Sequence, residues 1–259
     1  MHEGVRLKAS IIITSFNRSH LLSFGLETLA RQGFSKDDVE ILVLNDGNPH
    51  DSTEGVCELF KDELNIRYFT STKKTQKWRI PGFAINHGVR KSTGDFLFIS
   101  CAEIYHLGNT VELMLKELGT GKKLLTIPVS GGDDDGRFLA KIERGEIPLE
   151  NEYKSLEPLY NIHLPFFIGM RKDEFVNIGG YDEDFTGVGF DDNDIMDRLL
   201  KTGNTYKRVD CRIVHLYHPR LSLRDPEIKE MYNRNHLLYN RRRNGSPTRN
   251  QTKAWGYSF

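Results

Sequence analysis

The chain has 259 residues, with 36 Lys and Arg against 36 Asp and Glu; it is long enough for one large α/β domain or two small ones and carries no net field that would select nucleic acid or an acidic substrate. Three cysteines, Cys57, Cys101 and Cys211, stand far apart and in no CxxC pair, which argues against a disulfide framework and for buried thiols in a reducing compartment. Charges at Glu3, Arg6 and Lys8 precede a short apolar run, the pattern of a first strand rather than of a signal peptide, and no stretch is long enough to span a bilayer, so the cytoplasm is the expected location.

Residues 9–14 form a continuous apolar run rich in β-branched side chains, as in a strand covered on both faces. In the following segment Leu22, Leu26 and Leu29 recur at helical spacing and Gly33 sits where a helix would end. "VEILVL" (39–44) predicts a second buried strand that ends in the polar turn "NDGNPHDST", with a helix starting at about Thr53. The alternation continues with the strand "IRYFT" (66–70), a helix over 82–91, the strand "DFLFIS" (95–100), a helix from about Asn109 to Leu118 and the strand "KLLTIPV" (123–129). Such alternation predicts an open, largely parallel sheet covered by helices, with its ligand site beyond the carboxyl ends of the strands. Those ends read "TSFN", "NDGN" and "SCAE".

From 130 to 165 the pattern weakens into a turn, "SGGDDDGRF", and a polar loop or short helices, a length often found in lids and acceptor-binding segments. "LPFFIG" predicts a strand, "RKDEFVNIG" a helix, and "GYDEDFTGVGFDDND" a Gly-rich acidic loop leading into the helix "IMDRLLKTG". After the last predicted strand, "CRIVHLY", the segment from Pro219 onward holds nine Lys and Arg against three Asp and Glu. We therefore divide the chain into a domain over 1–218 and a basic tail over 219–259.

The acidic loop carries the most chemistry. On the helix after it, Ile195, Met196, Leu199 and Leu200 form one apolar stripe, and Asp192 lies three to four residues before the first two, so its carboxylate is expected to point inward while Asp191 and Asn193 point elsewhere. Acids at a helix start also cap N–H groups and complement the dipole without any further role. The strand "FLFIS" runs into Ser100, Cys101, Ala102 and Glu103, so Glu103 is the carboxylate at its end, with His106 three residues on. His106 is expected to cap or pack the helix near Asn109. Of the imidazoles in "VHLYHP", period-two alternation would send His215 and His218 to opposite sides. The aspartates of "GGDDDGR" (131–137) sit between glycines and read as a solvated turn. "YNRRRNGSPTR" lacks a folded nucleic-acid motif, which leaves open a flexible arm for a phosphate-rich substrate, a membrane surface or a partner.

"GGYDEDFTGVGFDDNDIMDRL" resembles the acceptor-side loop of inverting GT-A glycosyltransferases, written in β-1,4-galactosyltransferases and chondroitin polymerases as Gly-Gly-Phe-Asp-Glu followed by Gly-Trp-Gly-Gly-Glu-Asp. Here the second part reads Gly187, Val188, Gly189, Phe190, Asp191, Asp192. "IIITSFNR", "LVLNDGN" and "PGFAINHGVRKSTGDFLFI" resemble, in the same order, the first strand and turn, the Asp-Asp-Gly-Ser turn and the Ala-Arg-Asn-x-Gly helix of family 2. The resemblance covers residues 9–218 and implies a GT-A, Rossmann-like open sheet, mostly parallel and flanked by helices. It implies a nucleotide-sugar donor, a glycan, lipid-linked or other hydroxyl acceptor, and transfer with inversion. Asp192 falls on the family's catalytic base, with Asp191 beside it. Donor contacts fall on Thr14, Phe16, Asn17, Asn45, Asp46 and Asn86, and Arg79 could reach a diphosphate. Where the family carries Asp-x-Asp to hold Mn²⁺ or Mg²⁺, this chain has Ser100, Cys101 and Ala102. The expected ligands are then Glu103 and His215, with phosphate oxygens and water completing the shell. Loss of the Asp-x-Asp also admits a module that binds nucleotide sugar or glycan without catalysis.

Overall fold

The computed structural model describes residues 8–48, 50–71, 80–121, 123–158, 166–257 and 259. In chain order the elements are β1 (Ala9–Ser15), α1 (Ser19–Ala30), β2 (Val39–Asn45), α2 (Thr53–Leu59), β3 (Asn65–Thr70), α3 (Gly82–Lys91), β4 (Phe96–Cys101), β5 (Ile104–Leu107), α4 (Thr110–Leu118), β6 (Leu124–Gly132), α5 (Arg137–Glu143), α6 (Glu150–Lys154), β7 (Glu157–Pro158), β8 (Phe167–Arg171), α7 (Lys172–Asn177), α8 (Asp191–Lys201), β9 (Thr205–His215) and α9 (Pro226–Arg242). The strands form one sheet in the order β3-β2-β1-β4-β8-β6-β9-β5, with β7 added on β6.

The β-branched runs sort by period two onto opposite faces. Ile11, Ile13, Ile41, Val43 and Phe98 share one core with Leu22, Leu26 and Leu29 of α1 and Met114 of α4. Ile12, Leu42, Leu44, Leu97 and Ile99 share the other with α3 and with Ile195, Met196 and Leu199 of α8. Each such side chain, fully buried, is worth about 1.5–3 kcal/mol, so both faces hold the central strands in register.

The half made of β3, β2, β1 and β4 is parallel, as the alternation predicts. Past β4 the sheet is mixed. β8 runs antiparallel to both β4 and β6, and β9 is parallel to β6. Two reversals restore the original direction, so β6 and β9 point the same way as β4 and His215 reaches the edge where β1, β2 and β4 end. Backbone bonds then close that edge: Ala102 N–H donates to Thr14 O (3.0 Å) and Leu216 N–H to Glu103 O (2.8 Å).

The basic segment after residue 218 is not a free arm. α9 packs on the acidic loop, Tyr239 joins a small core with Ile80 and Phe185, and Trp255 and Phe259 enter the core on the α3 side of the sheet. Its arginines are paired internally: Arg242 with Asp182 and Asp184, and Arg249 with Asp182 and Asp194. Arg198 of α8, 1 % exposed, donates to Asp194 (2.6 Å), Ile178 O and Gly180 O. Part of the charge that suggested a surface-binding tail, on Arg220, Arg242, Arg249 and Lys253, pairs with carboxylates of the domain. No helix among the described residues is long and apolar enough to cross a membrane.

Candidate active site

A cleft of about 250 Å³ opens at the carboxyl ends of the strands, lined by Thr14, Phe16, Asp46, Glu103, Tyr181 and Asp192 together with Cys101, Phe166, His215 and His218. Asp46 and Thr14 arrive on the ends of β2 and β1, Glu103 follows β4, and Asp192 is the second residue of α8. Residues more than 140 positions apart in sequence therefore meet by topology alone.

Asp192 is placed by a chain of contacts. Phe190 caps α8 in the left-handed region (φ 69°), which for a bulky residue costs about 1–2 kcal/mol. The ring is held by stacking on His236 (centroids 4.7 Å apart) and Tyr239 (5.5 Å) of α9. Just before it, Gly187 and Gly189 have φ of 85° and 84°, and a Cβ on either would strike Met231 or Tyr232 of α9. Asn235 ties the same loop down by donating to Thr186 O, Val188 O and Gly189 O, each at 3.0 Å.

Within the cleft the Tyr181 hydroxyl donates to Asp192 Oδ1 (2.9 Å). Burial pushes the Asp192 carboxyl up to about 6, and the Tyr181 bond, favouring the charged form, opposes that rise. Asp191 does not line the cleft. It is buried, its Oδ2 has no hydrogen-bond partner, and burial and then the charge of Asp192 hold its carboxyl well above the usual range. The two neighbours thus separate into an acid held inside, where burial favours its neutral form, and one at the surface of the cleft. Asp192, expected to face the core or a cleft at the helix start, faces the cleft, while Asp191 and Asp194 are the buried acids of this turn.

Three of the expected donor contacts do not face the cleft. Asn86 is fully buried; its Oδ1 accepts from Tyr181 N–H (2.8 Å) and its Nδ2 donates to Tyr181 O (2.9 Å) and Glu183 (3.0 Å). It clamps the residue that holds Asp192. Asn45 is likewise buried, bonding Gly47 N–H and the Tyr68 hydroxyl. Asn17 is exposed and accepts from Asn48 N–H (2.8 Å), bracing the β1 turn against the β2 turn. Arg79 lies outside the described residues.

At the end of β4, Glu103 Oε1 lies 3.2 Å from Arg18 Nε and 3.9 Å from His218 Nε2. β9 ends at His215, so strand alternation does not reach His218 and both imidazoles line the cleft, their centroids 5.2 Å apart. His215 packs on Phe166 (4.4 Å), and burial first, then neighbouring His218 and Arg220, lower it to about 3. Cys101 is an inert thiol, raised well above its usual range by burial and then by the charge of Glu103. His106, as expected, is a packing residue, with Nδ1 2.8 Å from Thr110 Oγ1. Among the described residues no group of three or more His, Cys, Asp or Glu is placed to hold a metal ion. The expected pair is a poor fit to a hard dication, which needs several free oxygens: Glu103 already faces a guanidinium, and His215 is buried against Phe166. Arg18 and Tyr181 escaped the sequence reading. The signal for Arg18 was its place directly after "TSFN"; for Tyr181 it was the hydroxyl that sets this loop apart from Gly-Gly-Phe-Asp-Glu.

An open α/β sheet whose donor-side turns and acidic helix start share one cleft is the architecture of the GT-A glycosyltransferases. The chain belongs to glycosyl transferase family 2, whose model matches residues 10–179, and residues 166–220 match the model described as the N-terminal domain of galactosyltransferase. It is similar to the validoxylamine A glucosyltransferase of Streptomyces hygroscopicus subsp. jinggangensis, 25% identical over 221 residues, which span 75% of this chain and 51% of that protein. The chain thus spans about half the length of the curated relatives it matches. A 90-residue stretch, 35% of this chain and 28% of the relative, is 32% identical to the GalNAc(5)-diNAcBac-PP-undecaprenol beta-1,3-glucosyltransferase of Campylobacter jejuni. In fold it is similar to the mannosyltransferase PcManGT from Pyrobaculum calidifontis in complex with GDP-Man and Mn²⁺, with TM-score 0.62, 17% identity, and coverage of 94% of this chain and 67% of that one. It is also similar to S. aureus TarS in complex with UDP-GlcNAc, with TM-score 0.59, 15% identity, and coverage of 87% and 64%.

Proposed function

We propose that the protein transfers a sugar from a nucleotide-sugar donor to an acceptor hydroxyl in a single, inverting displacement, with Asp192 as general base. The observation that supports this reading is the shared cleft: Thr14, Asp46, Glu103 and Asp192 all line one space of about 250 Å³, and we assign Asp46 and Thr14 to the nucleoside and Asp192 to the acceptor. The acceptor O–H gives its proton to Asp192 as its oxygen bonds the anomeric carbon; the bond from that carbon to the diphosphate breaks, and the nucleoside diphosphate leaves with the electron pair. A carboxylate near pH 6 is ionised at neutral pH yet basic enough to take the proton as it is released. UDP- and GDP-sugars bound to fold relatives support a nucleotide-sugar donor, and relatives named for undecaprenol- and dolichyl-linked substrates support a lipid-linked or glycan acceptor.

The test is release of nucleoside diphosphate from a panel of nucleotide sugars, with and without acceptor glycans. Asp192→Asn should lower turnover by about 10²–10⁴-fold and leave donor binding nearly intact; normal turnover by that variant refutes the base assignment. The missing Asp-x-Asp is the observation that favours a binding module of the same fold, and donor binding with no release by the wild-type protein would establish it.

A further inference from the structure

We infer that Arg18, held between Glu103 and His218, is the resident cation that receives the donor's diphosphate, in the corner where the family resemblance implies a divalent metal. The inference rests on the reading of the cleft as a nucleotide-sugar site. Arg18 stands at the rim, directly after the β1 turn whose residues Thr14, Ser15 and Phe16 line the cleft, and it touches two further lining residues, Glu103 and His218. Its guanidinium is only partly committed. NH1 donates to Asn17 O (3.1 Å), NH2 lies 3.3 Å from His218 Nδ1 and 3.5 Å from Pro219 O, and Nε, though 3.2 Å from Glu103 Oε1, is buried without an aligned hydrogen-bond partner. A planar fork with unspent N–H groups matches two phosphate oxygens. The first turn of α1, which begins at the next residue, carries no acidic side chain, so its amide dipoles add to the positive potential.

The same geometry opposes a metal. A dication bound by Glu103 would stand within about 4–5 Å of the guanidinium and would have to take its only carboxylate from it, at a repulsion that partial burial leaves poorly screened. Glu103 and Arg18 balance each other, so the corner is assembled and neutral before any ligand arrives. A Ser-Cys-Ala sequence where two aspartates would be expected removes the negative charge that a dication would offset, and leaves one carboxylate to position one side chain.

The experiment is calorimetric titration of the full chain with UDP, GDP, ADP, CDP and dTDP and with the matching monophosphates, in EDTA and again in Mn²⁺. One diphosphate should bind in EDTA, and Mn²⁺ should change its Kd by less than about threefold. Arg18→Ala should weaken that diphosphate by about tenfold or more and its monophosphate much less, while Arg18→Lys, keeping charge without the fork, should fall between. Tightening by Mn²⁺ of more than about tenfold, or an unchanged diphosphate-to-monophosphate ratio in Arg18→Ala, overturns the role of Arg18 and leaves the transferase reading standing. If Arg18→Ala fails to fold, the Mn²⁺ comparison on the wild-type chain decides alone. Failure of all five diphosphates to bind in either condition overturns the transferase reading and this inference together.

Discussion

Replacing Asp192 by Asn should make the protein more stable at neutral and alkaline pH while removing the proposed base. Burial raises the Asp192 carboxyl from 3.8 to about 6, so the folded state binds the proton more tightly than the unfolded chain does. The stability attached to this group is therefore complete below about pH 4, and it is lost as pH rises through about 6. A displacement of two units corresponds to about 3 kcal/mol once the group is ionised, and the partial exposure of Asp192 makes about 1–3 kcal/mol the working range. Asn keeps an oxygen for the Tyr181 hydroxyl and carries no charge. Relief of Asp191, whose carboxyl is raised in part by the charge of Asp192, acts in the same direction. In urea unfolding at pH 8 the variant should gain about 1–3 kcal/mol, or roughly 2–10 °C in Tm for a chain of this size. At pH 5 the gain should fall to about half, and at pH 4, close to the unfolded value of the carboxyl, to about a fifth. A variant less stable than wild type at pH 8, or a gain independent of pH, would refute the claim that the fold spends stability to keep this carboxylate ionised.

Three other perturbations test the surrounding contacts. Tyr181→Phe removes a bond to the charged form worth about 1.5–3 kcal/mol, so the acid limb of the pH–rate profile should move up by about one to two units and activity should recover at pH 9; an unmoved limb would show that the hydroxyl does not govern Asp192. Asn86→Ala strands the backbone N–H of Tyr181, whose C=O keeps its bond from Asn250 (2.7 Å), and should cost about 1–3 kcal/mol in urea unfolding, whereas nucleoside diphosphate affinity of the folded protein should stay unchanged; a selective loss of affinity would place Asn86 in the donor site. Asn235→Ala removes three bonds to the Thr186–Gly189 loop, and should cost about 1–3 kcal/mol together with faster amide exchange at residues 187–190, measured by mass spectrometry; protection equal to wild type would show that α9 does not hold the loop.

Much of the sheet was legible because its strands are short, apolar and β-branched, and period two assigns Ile11 and Ile12 to opposite cores without knowledge of the partners. The mixed half was not. β5, only Ile104–Leu107, follows β4 after a two-residue break and looks in sequence like the end of the same strand, and the antiparallel placement of β8 depends on which strand it finds, not on its own residues. Thr14, Phe16, Asp46, Glu103 and Asp192 were legible as a set because they end strands or start a helix at one edge. Asn86 and Asn45 were misassigned because a buried amide that satisfies backbone groups and one that meets a ligand are the same residue in sequence. α9 does carry a readable stripe, Met231, Tyr232, Asn235, Tyr239 and Arg242 at three- and four-residue steps, but its surplus of positive charge masked it. What decides the matter is that the opposing charges, Asp182, Asp184 and Asp194, lie some 50 residues earlier, so net charge counted along a segment could not reveal the pairing.

That pairing bears on why the acidic loop tolerates its strain. A left-handed Phe190, two glycines in close approach to a helix, a buried carboxyl with one oxygen unpaired and a second carboxyl at the cleft all lie within six residues. Each would favour a different local conformation if the loop stood alone. They persist because the loop is over-determined from outside: Asn235 takes three of its carbonyls, three rings of α9 enclose Phe190, Asn86 fixes Tyr181 from α3, and Arg198 with Arg249 neutralises Asp194. Contacts from α3, α8 and α9 therefore converge on a single side chain, and none of them touches the space where a substrate would lie. Such a distribution is what the proposed base would need in order to be preorganised, and it gives residues beyond 218, outside every strand of the sheet, a part in holding the edge where β1, β2 and β4 end.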